Sequence, residues 1–345
     1  MALTKVDQTM VSDQVFGRRN LFINGDMQIS QRATTANGVT STAYNTVDRW
    51  ELSLNSAGTW NVSREESVLP AGQGFAYAQK LEVASGGGDS SLSAGDYALW
   101  RQKIEGINLQ HLKYGTSSAQ KLTLSFWVRS NAAATFIVEF FNDNSSENKT
   151  QSQSYTINSA NTWEKKTITI DGDTAHSIQN TVNAELLVYF WLAAGSNYTG
   201  GGSLNTSWSA VDTVGNNVRA KGQFNLANSQ SNNFYITGVQ LEVGDNATPF
   251  EHLTYQDQLR LCQRYYYQTD EQIFYCGYGT SADANALMIL GLPTVMRATP
   301  SVTESDTQNG SGFYEGGVSR HVIYGAAGST VASAARAKLY ANSEL

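Results

Sequence analysis

Apolar and polar residues alternate along most of this chain, which is the pattern of half-buried β-strands. In the segment 121–130 the apolar side chains would share one face and the others the opposite face: Leu122, Leu124, Phe126 and Val128 against Thr123, Ser125, Trp127 and Arg129. The segment 185–193 is apolar on both faces, so its strand should be covered on both sides. Similar runs bounded by Gly, Asn, Asp and Ser recur up to Glu251: NLFING, DRWEL, AYAQKLEVA, TFIVEFF, KKTITI and FYITGVQLEV. They predict one large β-sandwich.

The hydrophobic period changes after Pro249. One helical stripe is predicted from residues spaced by four, three and four positions, namely Tyr255, Leu259, Cys262 and Tyr266. Thr254 is the predicted cap, with Asp257 three residues later. Short strand-like runs then return: QIFYCGY, NALMILGLP, GFYEGG, HVIYG and ARAKLYA. The chain is therefore predicted to be all-β, with an N-terminal arm or anchor at 1–17, a sandwich at 18–252, a connecting helix at 253–269 and a small β module at 270–345.

Composition and charge limit the classes of binding partner that the protein can have. The net charge is −7, and no cluster of Lys and Arg supplies the phosphate-neutralising surface that nucleic-acid binding requires, so nucleic acid is not expected as a partner. The longest apolar run, 186–194, has about half the length that crosses a bilayer. Residues 1–19 lack the apolar core of a secretory signal. We therefore expect a protein made in a cytoplasm, without membrane insertion.

No metal or cofactor site is predicted. The residue types that most often bind transition metals are few and lack metal-type spacing: Cys262, Cys276, His111, His176, His252 and His321. Both cysteines are interpreted as buried thiols and the histidines as surface or packing residues.

Three sequence motifs resemble those of bacteriophage tail-fibre and virion appendage proteins. The first is NLFINGDMQISQR followed by VDRWEL, the second is FYITGVQLEVGDNATPFEHLTYQDQLRLCQRYYYQ, and the third combines LPTVMRATPSVT with the terminal NSEL. The resemblance implies a virion structural protein, made in the host cytoplasm, whose residues 1–17 dock on other virion proteins. It also implies a homotrimer, since the C-terminal module has few apolar residues with which to close its own core.

Residues 20–245 also resemble the jelly-roll carbohydrate-binding modules found beside bacterial glycanases, through NLFINGD, QKIEG with KLTLSFWVR, and FYITGVQLE. This resemblance implies a jelly-roll sandwich and a host surface glycan as ligand. Such modules often hold a structural calcium, with an acidic residue after the first strand and an aspartate pair in the last. Met27-Gln28 and Thr237-Gly238 stand at those places here, so an oxygen-rich calcium site should be absent or weak.

Sugar recognition by a sandwich needs an aromatic platform beside polar or charged side chains. The candidate glycan-binding residues are Trp127 with Arg129, Tyr189 with Trp191, and Glu139. The same aromatics also fit core or inter-module packing, and the sequence leaves both interpretations open. Glu139, on an otherwise apolar strand, would accept from a sugar hydroxyl or pair in the interior with an arginine such as Arg129 or Arg101.

Catalysis is not expected. Glycoside hydrolysis needs two carboxylates that face each other across the sugar, and no motif marks the acids that could serve: Glu65, Glu66, Glu105, Glu139, Asp171 and Asp173. The leading hypothesis is a non-enzymatic tail-fibre or appendage protein that binds host glycans. The alternatives are a purely structural head-decoration or tail protein with no ligand, and a surface polysaccharide depolymerase.

Overall fold

The computed structural model describes residues 18–143, 148–211, 218–269, 273–277, 285–308, 313–320, 322–328 and 333–345. The predicted arm at 1–17, His321 and the side chain of Cys276 lie outside the described part. The described chain forms two compact units. The first contains the residues up to Gln28 together with Thr34–His252, and the second contains Ile29–Ala33 and Leu253–Leu345. The segment Ile29–Ala33, which the sequence assigned to the sandwich, therefore belongs to the second unit.

The first unit is an all-β jelly-roll sandwich of two six-stranded antiparallel sheets, with chain crossovers between the sheets. Its strands are β1 (Thr35–Val39), β2 (Glu51–Asn55), β3 (Trp60–Glu65), β4 (Ala78–Val83), β5 (Tyr97–Glu105), β6 (Leu122–Ser130), β7 (Thr135–Asn142), β8 (Lys149–Thr156), β9 (Glu164–Ile170), β10 (Ala184–Ala194), β11 (Ser209–Ala210) and β12 (Asn233–Val243). Sheet A has the order β1-β3-β4-β12-β6-β9, and sheet B has the order β11-β8-β7-β10-β5-β2. A short helix α1 (Ser196–Thr199) follows β10.

The core lies between the two sheets and follows the predicted strand faces. The four apolar side chains of one β6 face are fully buried, as the alternation predicted. Strand β10 is buried on both faces, which confirms the second prediction. Leu186, Val188 and Phe190 join the main core, while Leu187, Tyr189 and Trp191 join a separate cluster on the outer face of sheet B. A register irregularity between Trp191 and Ala193 returns Ala193 to the main core.

The first motif, NLFING, is not a strand, although the sequence predicted one. Leu21, Phe22 and Ile23 are all buried, so their side chains do not alternate between core and solvent. Side chains replace a strand partner for this backbone: the N–H of Ile23 donates to Gln102 Oε1 at 2.8 Å, and Gln102 Nε2 donates to the carbonyl of Ile23 at 2.8 Å. A β-ladder is unnecessary where a buried amide satisfies the same groups.

Asn20 joins the beginning of the first unit to its end. Its Oδ1 accepts from the N–H of Leu241 at 3.0 Å and its Nδ2 donates to the carbonyl of Val239 at 3.0 Å, both on β12. The carboxylate of Glu251 accepts from the backbone N–H groups of Arg19 and Asn20, at 3.1 and 2.9 Å. These contacts, the Asn20 clamp, hold together residues more than 200 positions apart.

In the part of the second unit that the structure describes there are one helix, α2 (Tyr255–Gln263), and seven strands. Thr254 Oγ1 accepts from the N–H of Asp257 at 3.2 Å, which confirms the predicted cap. The buried face differs from the predicted stripe, because Cys262 is buried while Tyr255 is 57% exposed. The helix also ends before Tyr266, which lies in a strand. The strands are β13 (Tyr266–Gln268), β14 (Ile273–Gly277), β15 (Asn285–Gly291), β16 (Ser301–Gln308), β17 (Phe313–Val318), β18 (Val322–Gly328) and β19 (Ser333–Asn342).

These seven strands form two small sheets. Strand β19 pairs with β13, β14 and β16 in one sheet, and β18 pairs with β15 and β17 in the other, all antiparallel. Within the described residues, no helix is long and apolar enough to cross a membrane.

Candidate functional site

The predicted glycan-binding residues lie on the two opposite outer faces of the sandwich. Trp127 and Arg129 project from β6 on the outer face of sheet A, and both are partly exposed. Tyr189 and Trp191 from β10, and Glu139 from β7, lie on the outer face of sheet B. The five residues therefore cannot form one site.

Glu139 is the centre of a buried polar cluster on sheet B. It is fully buried and accepts from three side chains: Trp191 Nε1 at 2.9 Å, Arg219 Nε at 2.7 Å, and the hydroxyl of Thr150. The arginine partner is thus Arg219, and neither Arg129 nor Arg101, the two examples that the sequence suggested. Burial alone would lower the pKa of Arg219, but the charge of Glu139 and its hydrogen bond outweigh burial and raise it.

The chain itself covers this part of sheet B. Tyr198, Leu204 and Val211 are partly buried against the cluster that contains Tyr189 and Trp191, and Ala220 is a completely buried member of that cluster. Polar contacts fix the same segment, since Asn205 Nδ2 donates to the carbonyl of Thr150 at 3.2 Å and Gln151 Nε2 donates to the carbonyl of Thr206 at 2.8 Å. Burial raises the pKa of Tyr189. Tyr189, Trp191 and Glu139 therefore pack and pair within the protein and present no open sugar platform.

The adjacent part of sheet B carries a cluster of one carboxylate and two cations. Glu51 pairs with Arg101 and, at 3.3 Å, with Lys103 Nζ, and all three side chains are less than one-fifth exposed. Burial would lower the pKa of Arg101, but Glu51 raises it overall. The pKa of Lys103 is lowered, because burial and the neighbouring arginines outweigh the attraction of Glu51. Each cation here already has a carboxylate partner.

On the outer face of sheet A, Trp127 and Arg129 are partly exposed and Lys165 is exposed, whereas Thr237 is buried and donates to the carbonyl of Tyr77 at 2.7 Å. Residues paired across neighbouring strands point to the same side of a sheet. Lys165 is paired with Trp127, which is paired with Thr237, and Arg129 is paired with Tyr235, which is paired with Lys80. We call this surface the Trp127 face and define it by six residues: Trp127, Arg129, Lys165, Tyr235, Lys80 and Trp163.

Tyr235 is the packing centre of the Trp127 face. It is 6% exposed and lies beneath the Arg129 guanidinium at 5.0 Å and Lys80 Nζ at 5.7 Å from its ring centroid. The Trp163 ring meets it edge to face at 6.2 Å. These cation–π and aromatic contacts hold the two long cationic side chains against the sheet. The Trp127 face combines a partly exposed indole with cations held in place next to it.

The acids considered for catalysis are occupied by other groups. Glu105 is buried, and Asp173 is 2% exposed and accepts from the backbone N–H groups of Ala175 and His176. Glu65 accepts from the N–H and hydroxyl of Ser67. Asp171 pairs with Lys121, Glu66 pairs with Arg64, and Glu139 is buried.

Two of the residues at the place where carbohydrate-binding modules often hold calcium offer no side-chain oxygen, namely Met27 and Gly238. The Met27 side chain is completely buried in the main core. Gly238 has no side chain, and a Cβ built there would lie 2.4 Å from the Phe75 ring. Within the described residues no group of three or more His, Cys, Asp and Glu is arranged to hold a metal.

A polar hollow of about 440 Å³ lies at loops of the first unit, lined by Thr40, Ser56, Gly58, Thr59, Gly86, Gly87, Gly88 and Asp89. Its lining includes no aromatic or cationic side chain. It therefore lacks the platform that sugar rings need.

Comparison with known proteins gives a likeness in fold. No protein family's profile and no curated protein matches the chain. The enzymatically active domain of bacteriophage CBA120 tailspike protein 4 matches with 11% identity and a TM-score of 0.33, over 65% of this chain but only 21% of that one. The family 11 carbohydrate-binding module of a cellulosomal cellulase from Clostridium thermocellum matches with 10% identity and a TM-score of 0.31, over 61% and 98%.

A third solved structure, TmCBM61 in complex with β-1,4-galactotriose, matches with 12% identity and a TM-score of 0.31, over 66% of this chain and 99% of that one. At such identities and TM-scores, these likenesses do not transfer a ligand or an activity to this chain.

Four residues of the two outer faces were not predicted from the sequence as parts of a site: Arg219, Tyr235, Lys80 and Lys165. Arg219 lies 80 positions from Glu139, so only the folded chain brings the two together. Tyr235, Lys80 and Lys165 are on strands that the sequence did predict, and their alternation puts them on outward faces. Their proximity to Trp127 depends on the pairing order β4-β12-β6-β9, which alternation does not contain.

Proposed function

We propose that this protein is a non-enzymatic bacteriophage appendage protein that binds a host surface glycan through the Trp127 face. The observation that carries the proposal is the contrast between the two outer faces. On sheet B the chain covers its own aromatics, and each of the cations Arg101, Lys103 and Arg219 lies against a carboxylate. On sheet A, Trp127 and Arg129 stay partly exposed and Lys165 exposed, and Lys80 lies farther along the same face. An indole stacks on the apolar face of a sugar ring, while cations and polar groups bind its oxygens.

The phage assignment rests on the motifs at both ends of the sandwich and on the C-terminal motif. In this proposal the arm at 1–17 docks on other virion proteins, the protein acts in the virion as a homotrimer, and the sandwich is presented to the cell surface. Light scattering coupled to size-exclusion chromatography tests the trimer. A monomer at micromolar concentration would contradict it.

The absence of catalysis is part of the proposal. It is supported by the positions of the acids, because those considered for hydrolysis are buried, paired or held by backbone N–H groups. Release of reducing ends from bacterial surface polysaccharides by the native protein would contradict it and favour the depolymerase hypothesis.

The decisive experiment is a binding screen of the native full-length protein against isolated bacterial surface polysaccharides and whole cells. Trp127→Ala is the test variant, and Tyr255→Ala is the matched aromatic control, since Tyr255 is 57% exposed on α2. Circular dichroism of each variant checks that the fold is intact. We expect saturable binding that Trp127→Ala weakens and Tyr255→Ala preserves. Absence of binding by the native protein across the screen would overturn the proposal and favour a purely structural role.

A further inference from the structure

The charge of the Trp127 face differs from that of the protein as a whole. The protein carries a net charge of −7. The Trp127 face contributes three cations, Lys80, Arg129 and Lys165, and no acid among its six residues. The nearest acid across the face, Glu82, pairs with Lys80 at 3.0 Å between Nζ and Oε2. Burial would lower the pKa of Lys80, but Glu82 raises it overall, so Lys80 stays a paired cation.

Arg129 and Lys165 have no such partner. In the described part of the chain, no carboxylate lies within 4.0 Å of either residue. The only hydrogen bond that Arg129 makes there is from Nε to the carbonyl of Asn161, at 3.0 Å. The two Nη atoms therefore remain for an external group, and the Tyr235 ring orients the guanidinium at 5.0 Å. The paired Nη atoms of an arginine match a carboxylate with two parallel hydrogen bonds.

The neighbouring acid on β9 cannot neutralise these cations. Glu164 accepts from Lys166 Nζ at 2.6 Å and from the backbone N–H groups of Asn158 and Ser159, at 2.8 and 2.9 Å. On sheet B the corresponding cations are all satisfied inside the protein, through Glu51 and Glu139. Unpaired cations on a sandwich face are thus specific to the Trp127 face within the described residues.

The dimensions of the face suit an extended polymer. The cross-strand rows run from Lys165 on β9 to Lys80 on β4, which is three strand spacings, or about 14 Å. Trp127 lies in one row and Arg129 in the next, about 7 Å along β6. A chain of several sugars lying over Trp127 would place ring substituents near Lys165 across the strands and near Arg129 along β6.

We propose that the ligand of the Trp127 face is an acidic polysaccharide whose sugars carry carboxylates, such as uronic acids. This inference rests on the proposed glycan-binding function and names its substrate class. Trp127 stacks on a sugar ring, Arg129 binds a ring carboxylate through its two Nη atoms, and Lys165 attracts the next anionic sugar. A neutral polysaccharide would use only the first of these contacts.

The test uses linear uronic acid polymers, namely polygalacturonate, alginate and hyaluronate, each beside its carboxyl-reduced neutral counterpart of the same length. Affinities are measured by titration calorimetry for the native full-length protein at low and physiological salt. We expect at least one acidic polymer to bind about tenfold or more tightly than its reduced counterpart, since charge-assisted hydrogen bonds have that magnitude. The difference should shrink as salt rises.

Variants assign the discrimination to named residues. Arg129→Ala and Lys165→Ala should each remove most of the preference for the acidic polymer, and Arg129→Lys should restore part of it because it keeps the charge without the paired donors. Arg260→Ala is the matched control, since Arg260 is exposed on α2 and its loss changes the net charge equally. Trp127→Ala should weaken binding of acidic and neutral polymers alike.

The results that would contradict the acidic-ligand inference differ from those that would contradict the proposed function. Equal affinity for an acidic polymer and its reduced form would overturn the acidic-ligand inference and leave glycan binding in place. A preference for acidic polymers that survives both Arg129→Ala and Lys165→Ala would overturn the assignment to this face. Absence of binding to every polysaccharide, acidic or neutral, would overturn the proposed function itself.

Discussion

Replacement of Glu139 by alanine should strongly destabilise the sandwich. The carboxylate is completely buried and accepts from Trp191, Arg219 and Thr150. Alanine would leave a buried indole N–H, a buried hydroxyl and a cation without their acceptor. Removing one partner of a buried ion pair costs about 3–5 kcal/mol. Because the Arg219 side chain keeps 16% of its exposure, water can partly solvate it. We therefore expect about 3 kcal/mol, at the lower end of that range.

Glu139→Gln should lower the free energy of unfolding less than Glu139→Ala does. A glutamine oxygen still accepts one of the three hydrogen bonds, although its amide N–H₂ faces another donor. The double variant with Arg219→Gln should cost less than the sum of the two single variants, since residues in direct contact are not additive. The matched control for Glu139→Ala is Glu66→Ala. Glu66 also pairs with an arginine, at 3.2 Å, but its side chain is 62% exposed. Its loss should cost about 1 kcal/mol or less.

The assay is urea unfolding followed by tryptophan fluorescence. All seven tryptophans lie between residues 50 and 208, so the signal reports the first unit alone. The midpoint and slope give the free energy of unfolding. If Glu139→Ala destabilises the protein no more than Glu66→Ala does, the described pairing is wrong. Additive effects of the changes at positions 139 and 219 would show that the two residues do not interact.

Three further predictions concern stability. Gly238→Ala should lower the free energy of unfolding by at least about 1–2 kcal/mol, because φ is +60° and the new Cβ meets the Phe75 ring; Gly202→Ala, where nothing lies within 4 Å, should be close to neutral in the same urea titration. Burial raises the pKa of Asp26 above 3.8, so the stability that it contributes is complete below that pH and lost as pH rises through the folded value. Asp26→Asn should therefore be more stable than the native protein at alkaline pH, and this advantage should vanish near pH 3.8; an advantage independent of pH would contradict the reasoning. Thr254→Ala should cost about 1 kcal/mol through loss of the α2 cap, measured by calorimetry, and Thr254→Ser should restore it.

Strands were predictable here because their side chains alternate between two environments. The faces of β6 and the double burial of β10 follow from residue type at every second position. The prediction of a strand at NLFING was wrong, because three consecutive apolar residues resemble a buried strand. Gln102, some 80 positions away, instead binds the backbone of Ile23. The helix α2 began at its predicted cap but ended earlier than its apolar spacing suggested, since Tyr266 pairs with Asn342 in a sheet.

The candidate site was only half predictable for a related reason. Periodicity identified Trp127 and Arg129 as neighbours on one outward face. It equally identified Tyr189 and Trp191, but it could not show that the later segment with Tyr198 and Ala220 packs over them. Whether an outward face is exposed depends on segments that are distant in sequence. The local pattern of apolar and polar residues does not predict such contacts.

The Asn20 clamp has a mechanical consequence. A tensile load that enters the first unit before Arg19 and leaves after His252 acts on two points that already lie side by side. The force is then borne first by a few hydrogen bonds, which join Arg19 and Asn20 to Glu251 and to Leu241 and Val239 of β12. The sandwich, with its partly exposed Trp127, keeps its shape until those hydrogen bonds have broken.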